Sequence, residues 1–155
     1  PTDSIARFER VVAEFVDCIQ ALDEEQFLAP LNNWTPRDIV AHLSGWNDGM
    51  TEGCKCIQKG ELPAYDVDPG ENYSKVNAEI IERIATTDKD ALLEELSISA
   101  GHIKAYMGAV SPDDYLRDFG VKHNGEVITI GESFEELIDD YQHHTAQIKE
   151  WISSH

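Results

Sequence analysis

The chain has 155 residues, 41% of them hydrophobic and 27% charged, the balance of a folded globular protein with enough length for one domain over 1–155 and one sizeable core. Its 30 acidic and 12 basic side chains give a formal net charge of −18, which sets the surface against nucleic acid and anionic membranes. No apolar run approaches a membrane span, no signal-peptide pattern opens the chain, and Cys18, Cys54 and Cys56 have no metal or redox spacing, so the expected setting is a cytoplasm with reduced thiols.

Ile5, Phe8, Val12, Phe15, Ile19 and Leu22 recur at helical spacing and predict an amphipathic first helix. Pro30 and Asn32-Asn33 end it. The second long helix starts at Thr35 as N-cap, with Pro36 in the first helical position and Asp38 in the reciprocal capping place. Its inner stripe runs through Ile39, His42/Leu43, Trp46, Met50, Cys54 and Ile57 to about Gly60, and a Pro- and Gly-containing loop follows from Glu61 to Gly70. A third helix is predicted over about Glu71 to Ala85, burying Val76, Ile80, Ile81 and Ile84. Thr87 precedes a fourth, with Asp90 at the capping-box position and Leu93, Leu96, Ala100, Ile103 and Met107 inward. Ser111-Pro112-Asp113-Asp114 predicts a single helical turn. Between Phe119 and Gly131 the helical pattern stops, and Asn124-Gly125 between apolar residues predicts a small hairpin or paired loop. Ser133 and Glu136 read as the cap of the last helix, whose stripe is Phe134, Leu137, Tyr141, His144, Ile148 and Ile152. Together these elements predict an all-α helical bundle.

Two segments carry chemistry. His42 lies on the apolar face of the second long helix, and Asp140 and His144, four residues apart, share one face of the last. Read singly, each has an ordinary explanation: a hydrogen-bonded core histidine or a solvated carboxylate. Read together, three polar intrusions on buried faces each need a partner, and a shared divalent cation satisfies all three while leaving coordination positions open. His143 is turned by about 100° from His144, and His102, His123 and His155 lie off any inner stripe. There is no Gly-x-Ser-x-Gly elbow, phosphate-cradling glycine loop or dinucleotide fingerprint.

The segment Trp34-Thr35-Pro36-Arg37-Asp38-Ile39-Val40-Ala41-His42-Leu43 resembles the Trp, Ser/Thr, apolar-x-His-Leu segment of the DinB/YfiT-like superfamily. His144-Thr145-Ala146-Gln147 resembles its late His-Arg-Gly-Gln segment, and Asp140 falls where many members carry another histidine. The resemblance implies a DinB-like four-helix bundle with a short extra helix and the small insert before the last helix. It also implies a divalent metal, zinc or nickel first, and in many members a homodimer. The metal ligands it assigns here are His42, Asp140 and His144. A carboxylate in place of an imidazole hardens the site and brings manganese or iron into range. Thr145 and Ala146 replace the Arg and Gly of the late segment.

The expected function is metal-dependent chemistry on a small molecule, hydrolysis first, with Lewis-acid activation of water or a carbonyl. Asp48, Glu52 and the free oxygen of Asp140 are the candidate general bases. The alternatives are a thiol-dependent transferase or isomerase and a non-catalytic small-molecule binder using Trp34, Trp46 and Tyr141; neither needs nucleic acid or a membrane.

Overall fold

Four long helices carry the fold in the computed structural model, which describes residues 2–155: α1 (Thr2–Gln20), α3 (Pro36–Gln58), α5 (Lys89–Ala109) and α7 (Ile130–Ser153). Shorter helices are α2 (Glu24–Phe27), α4 (Ser74–Arg83) and α6 (Pro112–Tyr115), with 3-10 turns at Ala64–Asp66 and Glu71–Tyr73. The only sheet among the described residues is an antiparallel pair, β1 (Lys122–His123) and β2 (Glu126–Val127), turned by Asn124 and Gly125 at φ 53° and 82°. The protein is an all-α bundle with a hairpin insert before its last helix. Among the described residues no helix is long and apolar enough to cross a membrane.

Helix α3 is the centre of the bundle. Its start is set locally: the Thr35 hydroxyl accepts from Asp38 N at 3.1 Å, the Asp38 carboxylate accepts from Thr35 N at 3.1 Å, and Pro36 occupies the first turn. Every residue from Ile39 to Asn47 is buried, because α5, α7 and α4 all pack on this stretch. Helix α4 comes so near that a Cβ at Gly45 would lie 2.3 Å from Ile80 Cγ2. A buried polar group sets the register of α7 on α3: Asn47 Oδ1 accepts from Tyr141 Oη at 3.0 Å, and Asn47 Nδ2 donates to Ser99 Oγ at 3.1 Å.

Several boundaries differ from expectation, for local reasons. The last helix begins at Ile130, capped by Thr129, whose hydroxyl accepts from Glu132 N at 3.1 Å; Ser133 is already inside, its hydroxyl donating back to Thr129 O. Asp88 rather than Thr87 caps α5, accepting from Asp90 N. The third helix proper starts at Ser74, after a 3-10 turn in which Asn72 and Tyr73 take left-handed φ of 52° and 61°. Of its four expected core residues only Ile80 is fully buried. Helix α2 was not anticipated; Asp23 and Gln26 form its capping box. Val11 takes the core position expected of Val12, and Ile152 is on the surface.

Candidate metal centre

His42 on α3 and Asp140 with His144 on α7 meet where the two helices cross. His42 Nε2 lies 2.8 Å from Asp140 Oδ2, and His144 Nε2 lies 3.2 Å from Asp140 Oδ1. One potential ligand atom from each residue falls within 4.8 Å of the others, the one such cluster of His, Cys, Asp and Glu among the described residues. Both histidines are buried and Asp140 is half-buried. The register that makes this possible is the Tyr141–Asn47 bond, one residue along α7 from Asp140. Tyr141 itself is fully buried, edge-on to Phe8 and Phe15, and acts behind the centre rather than in it.

The hydrogen bonds around His42 decide which nitrogen faces the centre. Asn77 Oδ1 lies 2.7 Å from Trp46 Nε1 and 3.1 Å from His42 Nδ1. Indole N–H can only donate, so the Asn77 atom facing both rings is its oxygen. His42 Nδ1–H therefore donates to it, and in the neutral ring Nε2 carries a lone pair aimed at a carboxylate oxygen. Lone pair against carboxylate is repulsive unless something positive lies between them, either a proton or a metal ion. His144 repeats the pattern, with Nδ1 3.0 Å from Gln147 Oε1 and Nε2 toward Asp140. An outer N–H held by an oxygen acceptor and an inner lone pair is the arrangement that metal-ligating histidines adopt. Two imidazole nitrogens and a carboxylate suit a borderline or moderately hard divalent ion.

Asp140 is charged in this setting. Burial opposes its ionisation, but where a proton lies between ring and carboxylate, hydrogen bonds from His144 and His42 and attraction to those rings outweigh it and hold the carboxyl well below the usual carboxylate range. Trp34, in the irregular segment just before the α3 cap, covers the two rings, its centroid 4.8 Å from that of His42 and 6.1 Å from that of His144.

A cavity of about 440 Å³ opens beside the centre, reached by His42, Asp140 and the exposed His143. Trp46, Tyr65 and Tyr73 line its far side, and Glu136 and Asp139 lie along its α7 edge. A larger groove of about 620 Å³ between α1 and α5 lies away from the triad. Two of the expected general bases are elsewhere: Asp48 lies 3.0 Å from His102 Nδ1, Glu52 pairs with Lys55, and neither lines the cavity. Sequence reasoning missed Asn77, Gln147 and Glu136. Asn77 carried one signal, an amide beside Val76 and Ile80 on a helix read as apolar.

The model of the DinB superfamily matches residues 7–148. The chain belongs to the DinB superfamily. Similar DinB folds include a mycothiol-dependent maleylpyruvate isomerase (16% identity, TM-score 0.75), where the match covers 95% of this chain and 60% of the isomerase. The colibactin self-resistance protein ClbS, solved in complex with a dsDNA, matches at 14% identity and TM-score 0.79 over 97% of this chain and 93% of ClbS. YfiT from Bacillus subtilis, described as a probable metal-dependent hydrolase with an unusual four-helix bundle topology, matches at 19% identity and TM-score 0.71 over 97% of this chain and 84% of YfiT. At these identities the likeness is one of fold, and this DinB chain spans only about 60% of the isomerase's length. No curated protein matches the sequence.

Proposed function

We propose that this protein is a divalent-metal-dependent enzyme acting on a small molecule, a hydrolase in the first instance, with His42, Asp140 and His144 as the metal ligands. The observation that carries the reading is the Asn77–His42 bond: it supports a tautomer whose His42 lone pair points inward, toward a carboxylate, an arrangement that a bound metal ion would satisfy. A bound divalent ion would supply Lewis acidity toward water or a carbonyl in the adjoining cavity.

The chain's own groups then divide the work. Asn77 and Gln147 orient the two rings, and Trp34 shields them from water on one side. Glu136, one helical turn before Asp140 on α7, is the candidate general base. Desolvation, then the like charges of Asp66, Glu132 and Asp139, raise its carboxyl above the ordinary range, toward the pH at which a base is effective. It takes over the role expected of Asp48 or Glu52.

Elemental analysis of the purified protein tests the centre before any substrate is known. A stoichiometric divalent metal, lost in His144→Ala with the fold retained, is the expected result. A protein that holds no metal and takes up none when zinc, nickel or manganese is supplied would refute it. Turnover of esters and amides, compared with thiol adducts, then separates the hydrolase from a thiol-dependent transferase. The dsDNA bound by ClbS runs against the absence of nucleic-acid partners, yet 30 acidic side chains against 12 basic ones support that absence here, since DNA binding draws on released counterions.

A further inference from the structure

Three aromatic rings line the cavity beside the triad, and they pack on one another in a specific way. Trp46 from α3 and Tyr65 and Tyr73 from the two 3-10 turns meet edge to face, with centroids 5.0 Å apart for Trp46–Tyr65, 5.6 Å for Trp46–Tyr73 and 6.3 Å for Tyr65–Tyr73. Each ring is held from behind. The Trp46 N–H donates to Asn77, and Tyr73 Oη donates to the buried Asp66 at 2.6 Å. Tyr65 lies so close over α3 that a Cβ at Gly53 would sit 2.3 Å from its Cε2. Asn72 and Tyr73, which both line the cavity, adopt consecutive left-handed conformations, which disfavour side-chain-bearing residues and concentrate at ligand sites.

The fixed charges lining this cavity have one sign. Glu136, Asp139 and Asp140 line it, and no Lys or Arg does. An anionic group entering there meets three carboxylates and an aromatic wall with no cation to offset them. An organic cation meets attraction from both. The carboxylate ligand Asp140 favours the same outcome, because it reduces the net positive charge that a metal would place beside the guest.

We infer that the cavity binds a small organic cation, an alkylammonium group seated against the Trp46–Tyr65–Tyr73 wall with its charge toward Glu136 and Asp139. The molecule processed at the metal centre accordingly carries such a group next to its reacting bond. Binding of the cation stands on the wall and the carboxylates alone; its role as substrate rests on the proposed metal enzyme.

Choline, and the neutral alcohol in which its quaternary nitrogen is replaced by carbon, form the test pair. They are titrated calorimetrically into metal-free and zinc-loaded protein, while the Trp46 indole N–H resonance is followed. Choline should bind saturably, shift that resonance, and exceed its neutral isostere in affinity by about tenfold. Tyr73→Leu should weaken choline about two- to fivefold, whereas Tyr73→Phe, which keeps the π system and loses only the bond to Asp66, should lose less than the Leu variant does. Equal binding of choline and isostere would show an apolar cavity with no charge preference and overturn the inference. So would no binding of either, or an equal loss in both Tyr73 variants. Zinc uptake without choline binding sinks this inference alone, and choline binding without zinc uptake sinks only the metal reading.

Discussion

Replacing Asn77 with Ala removes the oxygen that two ring N–H groups share, and its cost can be worked from the structure. In the parent that oxygen accepts from Trp46 Nε1 at 2.7 Å and from His42 Nδ1 at 3.1 Å. A buried donor left without a partner costs about 1–3 kcal/mol. Position 77 is half-buried, so water reaches part of the vacated space, and the expected loss for the pair is about 1–3 kcal/mol in metal-free protein. The effect on the metal is separate. Without Asn77 the His42 ring is free to place its proton on Nε2 and to rotate, and loss of such an outer partner weakens metal binding about 10–100-fold. Asn77→Asp keeps an acceptor in the same place and should retain tight binding. Competition with a chromophoric chelator reads the zinc affinity, and urea denaturation of the metal-free proteins reads the stability. An unchanged zinc affinity in Asn77→Ala would refute the reasoning about the tautomer. Equal losses in the Ala and Asp variants would show that the placement of α4, not the acceptor, is what matters.

Asp140→Asn should abolish tight metal binding while leaving the bundle folded, as chelator competition and far-ultraviolet dichroism will show. Because the folded-state pKa of Asp140 is depressed, its carboxylate stabilises the fold above its unfolded pKa of about 3.9 and loses that contribution as pH falls through the folded value. The stability gap between parent and Asn variant should therefore narrow as pH falls below about 3.9; a gap that stays constant from about pH 5 into strong acid would contradict this. Glu136 has the opposite sign. With its folded pKa raised, the parent loses stability as pH climbs from about 4.3 through the folded value, and Glu136→Gln should remove that loss, raising Tm at neutral pH while lowering turnover of the metal-loaded enzyme. Gly45→Ala should destabilise by up to about 2 kcal/mol, since overpacking against Ile80 at about 1–3 kcal/mol is offset by a helix-propensity gain near 1 kcal/mol. Removing the clashing Cγ2 in Gly45→Ala/Ile80→Ala should leave the double variant less destabilised than the sum of the two single variants in a denaturation series.

Much of the architecture was legible because it depends on local rules. The Thr35-Pro36-Arg37-Asp38 start of α3, the apolar stripes of α1, α5 and α7, and the Asn124-Gly125 turn each follow from what neighbouring residues impose on the backbone. His42, Asp140 and His144 stood out for the same reason: polar groups at helical spacing on apolar faces call for a partner. Competing caps were less clear, since Thr129 and Ser133, or Thr87 and Asp88, have side chains equally able to accept from the first turn, and packing of the helix end chose between them. Only the tertiary structure decided that these three side chains meet, because the distance between α3 and α7 is set by the buried Asn47–Tyr141 contact, 94 residues apart in sequence. The same holds for Asn77, whose oxygen matters because α4 lies against α3 at Gly45, and for the aromatic wall, which draws Trp46, Tyr65 and Tyr73 from three elements. Periodicity tells which side of a helix is buried, but not which residue of another helix lies opposite; here the opposite residue, Asn77, orients the His42 ring.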